Sequence, residues 1–328
     1  MPADSHRAAT ARRWFSTYAV LAIALVMEVL VFEGLARYQD RNSFLSLPAL
    51  LHVLNRSAVY GVLSVGMTLV ILTGGIDLSV GSLIALCGVV CALIAKSGMD
   101  GAAWGWILLG WAAALGVGGL SGSIGGLLIT RFSIPPFIAT LALMSTLRGL
   151  GSIVAGGRPV APLPMEYTIL GRERIASLVP VGVLVMLGVF ALGVVLMEWT
   201  RFGRHVRAIG GNEESARLSG VPVARVKTLV YVICGVLAAL GGLINSSKIG
   251  SGDPTSGLGD ELGVIAAVVV GGTSLSGGRG SIVGTFLGLL FISVLAVGLN
   301  WIGVETFGQQ VTLGLVILAA MLLDKVKR

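Results

Sequence analysis

Long apolar runs dominate the chain and define its structural class. A membrane-crossing helix needs about 20 mostly apolar residues. Ten segments approach this pattern: 18–36, 57–73, 79–96, 104–129, 136–155, 179–199, 228–247, 262–275, 281–299 and 308–324. Because 262–275 is too short for a comfortable crossing, we expect it to re-enter or to be interrupted inside the protein. The pattern predicts an all-α polytopic transmembrane bundle of about ten segments, some of them discontinuous or re-entrant.

Composition supports a bilayer environment. Charged residues make up 12% of the 328 residues and hydrophobic residues 55%, whereas soluble domains carry about 25% charged residues. The 48 glycines fit the same class, because small residues let membrane helices approach closely. The net charge of +7 is explained by Lys and Arg in cytoplasmic loops, and no basic stripe with interleaved aromatics indicates a nucleic-acid partner.

The placement of charge predicts that both termini are cytoplasmic. With the N-terminus inside, alternating segments place most lysines and arginines in inside loops, while many acids fall outside. Residues 1–17 then form a cytoplasmic tail, and 18–328 form a single transmembrane domain with the cytoplasmic loop 200–227. The apolar run after the basic start continues past Glu28 without a cleavage site, which favours a retained first span.

The first polar interruption is the stretch TGGIDLSVGS, residues 73–82. Gly74 and Gly75 free the backbone from the helical region, and Asp77 then places a carboxylate near the hydrocarbon. Ser79 or Ser82 can cap the following helix. Two compatible hypotheses remain for Asp77: it favours the N-terminus of that helix through the dipole, or it takes part in a translocation path.

An internal echo links this stretch to a later one. Residues 74–81 and 271–278, the latter containing Thr273, both fit Gly-Gly-x-x-Leu-Ser-x-Gly. Duplicated halves are common in transporters, and chance is the alternative in a glycine-rich chain. The span count puts both echoes on the cytoplasmic side, whereas an inverted repeat would separate them. The echo is therefore accidental, or the repeats are parallel, or the count is wrong.

The loop 200–227 contains a pattern for a short amphipathic helix that ends at Gly220. Leu218 and Val221 offer an apolar face. The pattern fits an ordinary solvated loop or a docking helix for a cytoplasmic partner. The residues that would form it are Glu213, Glu214, Ser215, Ala216 and Arg217.

Further polar groups interrupt the apolar segments. Arg148 either snorkels to the outer interface or pairs with an intramembrane acid such as Glu28 or Asp77. Asn245, followed by two serines, closes the seventh segment at the outer rim, where hydrogen bonds to a polyhydroxyl solute would need such groups. An ordinary periplasmic loop would carry them as well.

Motifs of catalysis are missing from the sequence. It has no Gly-x-x-x-x-Gly-Lys-Ser/Thr phosphate loop, and no Ser-His-Asp set, paired catalytic carboxylates or metal cluster is visible. The sequence therefore predicts a protein that is not an enzyme and binds no cofactor or metal itself.

Four stretches in order resemble the ribose-type monosaccharide permeases of ABC importers. They are TGGIDLSVGS, IPPFIATLALMSTLRGL, GRHVRAIGGNEESARLSGVPVARVKTLVYVICGVLAALGGLI and GGTSLSGGRGSIVGTFLGLL, and the resemblance runs from about residue 50 to the C-terminus. It implies a multi-pass subunit of the bacterial inner membrane that pairs with a second permease, often an identical copy. ATP and magnesium would bind separate ATPase subunits, and a periplasmic binding protein would deliver the sugar.

The resemblance also implies roles for particular residues. The importer pattern Glu-Ala-Ala-x-x-x-Gly falls on Glu214, Ser215, Ala216 and Gly220, with serine in place of the middle alanine. The stretch around it would contact the ATPase. Residues expected along the translocation path are Gly74, Gly75, Asp77, Ser79, Asn245 and Thr273. A branched-chain amino-acid-type importer permease and a secondary transporter remain as alternatives, and the sugar and the identity of the second permease stay open.

Overall fold

The computed structural model describes residues 3–99, 101–175 and 178–326, with side chains for 18–99, 101–175 and 178–322, so the side chains of the predicted tail 1–17 lie outside the described residues. Most of the chain is helical. Its helices are α1 Ala3–Tyr38, α2 Leu47–Leu72, α3 Val80–Lys96, α4 Ala103–Arg131, α5 Pro136–Ala155, α6 Ile169–Arg172, α7 Val181–Trp199, α8 Arg201–Gly211, α9 Glu213–Leu218, α10 Val223–Ile249, α11 Asp260–Val270, α12 Ile282–Trp301 and α13 Thr306–Val326. A 3-10 helix spans Met165–Thr168, and β1 Arg174–Ile175 pairs antiparallel with β2 Val179–Pro180.

The all-α, multi-pass architecture is confirmed. Each of the ten predicted apolar segments contains one helix, and within the described residues seven helices are long and apolar enough to cross a membrane. The segment 262–275 is the 11-residue helix α11, as its short apolar run predicted. The number of crossings stays a prediction, because α3 with 17 residues and α11 with 11 residues are shorter than a typical membrane-crossing helix.

Helix α2 begins ten residues earlier than the apolar pattern indicated. The hydroxyl of Ser46 accepts a hydrogen bond from the amide of Ala49, and a proline lies in the first turn, so the N-terminus is well capped. His52 and Arg56 lie within this first part and hide it from a search for apolar runs. A capped polar end therefore extends the helix beyond its apolar run.

Helix α10 forms the centre of the bundle and packs on α2, α3 and α4. Three glycines of α4, four residues apart, line its contact with α10: Gly118, Gly122 and Gly126. A Cβ added at Gly122 would overlap the backbone carbonyl of Tyr231. Since dispersion and close backbone approach hold membrane helices together, these glycines set the separation of α4 and α10.

Contacts between helices show their relative directions. Helices α1 and α12 run parallel, because Tyr18 packs near Gly284 and Phe32 packs on Gly298. By the same test α3 runs parallel to α10, whereas α2 and α4 run antiparallel to it. Helices α2, α3 and α4 thus alternate in direction. We call the end of the bundle that carries α8 and α9 the α8–α9 face, and the other end the opposite face.

The glycine contact between α4 and α10 predicts a position-specific cost. We expect Gly122→Leu to lower the free energy of unfolding by about 1–3 kcal/mol or more, because overpacking forces the two helices apart. Gly116→Leu is the matched control, since Gly116 lies on the same helix with no atom near its Cβ position. Denaturation midpoints of purified protein in detergent measure both variants. Equal midpoints would show that the close approach contributes nothing.

Candidate functional site

The segment 73–79, between α2 and α3, is non-helical and leads back into the interior of the bundle. At the end of α2, the Leu72 carbonyl accepts a hydrogen bond from the Gly278 amide at 2.9 Å, beyond the C-terminal end of α11. At the start of α3, Gly81 packs on the Gly257 carbonyl, near the N-terminal end of α11. An 11-residue helix is about 16 Å long, so α3 begins well inside the protein.

Asp77 holds this segment in place. It is 2% exposed, and its Oδ1 accepts hydrogen bonds from the Ser79 amide at 2.9 Å and the Ser79 hydroxyl at 2.6 Å. The Thr140 hydroxyl of α5 donates to the Ile76 carbonyl at 3.1 Å. Irregular backbone at membrane depth persists only where the protein supplies such partners. The polar residues at 73–79 therefore satisfy the interruption that the glycines begin.

The predicted serine cap of α3 is wrong. Ser79 is the N-cap residue, but its hydroxyl donates to Asp77 and accepts nothing from the first turn of α3. The hydroxyl of Ser82 is buried and has no hydrogen-bond partner in the part of the chain that the structure describes. The side chain of Ser79 therefore holds Asp77 in place and does not cap α3.

Most of the residues expected along a translocation path are enclosed. Asp77, Ser79 and Thr273 are buried, as is Gly75, which lies against the hydroxyl of Tyr231. Gly74 is exposed and Asn245 is half-buried. In this conformation the enclosed residues contact neighbouring helices, and their part in a path stays a prediction.

The polar rim after Asn245 fastens a loop. The Tyr167 hydroxyl donates to Ser246 at 2.7 Å, and the Ser247 hydroxyl accepts from the Gly171 amide at 2.9 Å. Burial raises the pKa of Tyr167, so its hydroxyl stays a hydrogen-bond donor at neutral pH. These two serines hold the 3-10 helix and α6 against α10. They therefore have a structural role in the loop, which was the alternative to hydrogen bonding with a solute.

The two echoes meet at the α8–α9 face. Gly278 bonds to Leu72, and a Cβ at Gly277 would lie 3.0 Å from the Gly74 amide nitrogen. The helices that follow the echoes, α3 and α12, both lead away from this face. The structure therefore excludes an inverted relation between the echoes and leaves a parallel repeat or chance.

A second group of polar residues lies near the middle of the bundle, halfway between its two faces. The Tyr60 hydroxyl, midway along α2, donates to Asp260 Oδ1 at 2.7 Å. The chain enters from the opposite face through 250–259 and starts α11 at Asp260, beside Glu261. All three side chains are half-buried. The contact with Tyr60, midway along α2, places Asp260 near the middle of the bundle.

Arg148 binds this re-entrant stretch. Its Nη1 donates to the Pro254 carbonyl at 3.1 Å and the Ser256 carbonyl at 2.6 Å. The guanidinium bonds to re-entrant backbone, and among the described residues no ion pair joins it to Glu28 or Asp77, while its expected reach to the outer interface stays a prediction. An arginine inside an apolar run was the signal in the sequence, but its partner is about a hundred residues away and left no local pattern.

The short helix in the loop 200–227 is confirmed as α9. Asn212 Oδ1 accepts from the Ser215 amide at 2.8 Å and caps its N-terminus. Gly220 has φ +81°, and the Val221 amide bonds to the Ala216 carbonyl at 3.0 Å, which closes the C-terminus as a Schellman motif. Both ends of α9 are thus set by local side chains and backbone.

One small side chain anchors α9 to the bundle. Ala216 is buried in the main core, while the other residues from Asn212 to Gly220 are exposed. The expected apolar face is divided, because Val221 packs on the core and Leu218 is 80% exposed. Glu213 forms an ion pair with Lys227 at 3.0 Å, and Glu214 pairs with Arg217. The helix therefore presents a charged surface with one exposed leucine.

Comparison with known proteins identifies relatives along most of the chain. Residues 49–323 match the family described as branched-chain amino acid transport system / permease component. The chain is 46% identical to the ribose import permease protein of Bacillus subtilis over 287 residues, 87% of each chain. It is 40% identical to that of Escherichia coli K12 over 321 residues, 97% of this chain and 98% of the relative. It is 35% identical to the fructose import permease protein of Bifidobacterium longum, covering 96% and 92%. No solved structure matches significantly.

The contacts of Asp77 predict a graded effect of substitution. We expect Asp77→Ala to lower the free energy of unfolding by about 1.5–3 kcal/mol, because the amide and hydroxyl of Ser79 lose a charged acceptor. Asp77→Asn keeps a carbonyl oxygen at that position, so it should lose markedly less. Thermal unfolding in detergent compares the two. Two variants of equal stability would rule out this bracing role.

Proposed function

This chain belongs to the branched-chain amino acid transport system / permease component family, and we propose that it is the permease subunit of an ATP-driven importer for a monosaccharide. The observation that carries the proposal is its similarity, over most of its length, to permeases named for ribose and fructose import. A pentose, a hexose or a related polyol fits this group of relatives.

The α9 helix is the contact that the proposal assigns to the ATPase subunits. It is capped at both ends, anchored by Ala216 and otherwise exposed, as a docking helix requires. Binding and hydrolysis of ATP with magnesium take place in those partner subunits, and this chain binds no cofactor. The α8–α9 face then lies in the cytoplasm, and both termini with it.

The remaining assembly follows from the same assignment. The protein lies in the bacterial inner membrane and pairs with a second permease, which we propose is an identical copy. A periplasmic sugar-binding protein docks on the opposite face and delivers the solute. Because that protein selects the sugar, the permease path needs only weak selectivity.

Polar groups near half-depth suit passage of a sugar. Tyr60, Arg148, Asp260 and Glu261 are half-buried and can exchange hydrogen bonds with hydroxyl groups without a large rearrangement. Asp77 and Thr273 are enclosed, so they would reach a solute only in another conformation. Broken helices that meet near the midplane are where transporters commonly place their substrates.

The whole proposal is tested by reconstitution. The chain is placed in proteoliposomes with its ATPase and supplied with its periplasmic binding protein. We expect ATP-dependent accumulation of ribose or another monosaccharide and none of leucine. Accumulation of leucine would support the amino-acid alternative. Sugar uptake without the ATPase subunits would instead indicate a secondary transporter.

The docking role is tested by reversing one charge. We expect Glu214→Lys to reduce uptake by about tenfold or more, since like charges across an interface cost several kcal/mol and each 1.4 kcal/mol is a factor of ten. Immunoblots of membranes check that the subunit is still inserted.

A charge-swapped control separates docking from local stability. Glu214→Lys combined with Arg217→Glu restores the ion pair within α9 but leaves the surface charges exchanged. If docking depends on the charge at 214, the double variant stays defective. Full recovery of uptake would mean that only the internal ion pair matters.

A further inference from the structure

The last turn of α8 lies directly against the end of α2. A Cβ built at Gly210 would overlap the Leu72 carbonyl oxygen and the Gly278 amide nitrogen, the two atoms that bond to each other at 2.9 Å. No other residue type fits at Gly210 without displacing backbone, and backbone atoms cannot rotate away as a flexible side chain can. The contact therefore fixes the distance between α8 and this hydrogen bond.

Helices α8 and α9 are joined by a single residue and are braced together. The Asn212 amide bonds to the Ala208 carbonyl at 3.1 Å and ends α8, while the Asn212 side chain caps α9. Val206 and Ile209 are buried in the same core as Ala216. A displacement of α9 therefore carries the end of α8 with it, because no flexible linker separates them.

Gly210 touches both interrupted elements at once. Leu72 ends α2 and opens the segment 73–79 that Asp77 braces. Gly278 closes the turn between α11 and α12. A Cβ at Gly277 would lie 3.0 Å from both the Gly210 carbonyl oxygen and the Gly74 amide nitrogen. Three separate parts of the chain, α8 and the two echo stretches, thus meet through close backbone contacts.

We propose that Gly210 is the positioning residue through which movement of α9 reaches the membrane interior. A push on α9 presses Gly210 against the bonded pair Leu72–Gly278, so the segment 73–79 and the turn 271–281 move together. The contact has no side chain to absorb the displacement. This inference rests on the proposed function, because α9 must be moved by an ATPase.

The test compares alanine at two adjacent glycines. Gly210→Ala inserts a methyl group into the contact, whereas Gly211→Ala places the same group where no atom lies within 4 Å. Both gain the same helix propensity. We expect Gly210→Ala to lower the sugar transported per ATP hydrolysed by about tenfold or more, since overpacking costs about 1–3 kcal/mol and each 1.4 kcal/mol is a factor of ten. ATP hydrolysis and copurification with the ATPase should persist, and Gly211→Ala should behave as the unsubstituted complex.

A normal transport ratio in Gly210→Ala would overturn the inference, as would an equal loss in Gly211→Ala. If Gly210→Ala fails to accumulate, hydrogen exchange in the unsubstituted complex decides. We expect vanadate trapping with ATP to change the exchange of 72–79, 205–211 and 272–279 together. A change in the hydrogen exchange of α8 without a change in 72–79 and 272–279 would contradict the inference. Absence of sugar uptake by the unsubstituted complex would refute the proposed function instead.

Discussion

One requirement governs this structure: every backbone amide and carbonyl in the hydrocarbon must find a partner within the protein. The segment 73–79 and the entry 250–259 are irregular, so they persist only where side chains and neighbouring helices satisfy them. Asp77, Thr140 and Arg148 supply such bonds. The same demand places α2 and α10 at the centre, since they enclose the broken stretches. Charged groups inside the bundle are thus first of all a means of making two interruptions possible.

Much of this architecture is visible in the sequence. Apolar runs locate all ten principal helices, because lipid imposes length and composition on each one separately. The short run 262–275 indicated a short or broken element, and Gly220 marked the end of α9, because such a terminating signal acts within a few residues. The predicted starts of helices were less accurate where the first turns contain polar residues, as at Arg56 in α2.

Long-range partners were not predictable from the sequence. Arg148 bonds to carbonyls more than a hundred positions away, and any acid inside the apolar region looked equally suitable beforehand. Ser79 was expected to accept a bond from the first turn of α3, but its hydroxyl donates to Asp77, and the sequence did not distinguish these two local roles. The meeting of Gly210 with Gly278 depends on how three helices end at one face. Such contacts are properties of packing, and no periodicity along the chain encodes them.

The construction of α9 has a consequence for molecular recognition. Isolated helices of six residues do not persist in water, because nucleation costs more than so few hydrogen bonds return. Here the Asn212 cap, the turn at Gly220 and the Ala216 anchor impose the helical shape before any partner arrives. In the proposed docking role, α9 would lose little conformational entropy on association, because its shape is preorganised. The proposed cycle of engagement and release would therefore need no folding step of α9.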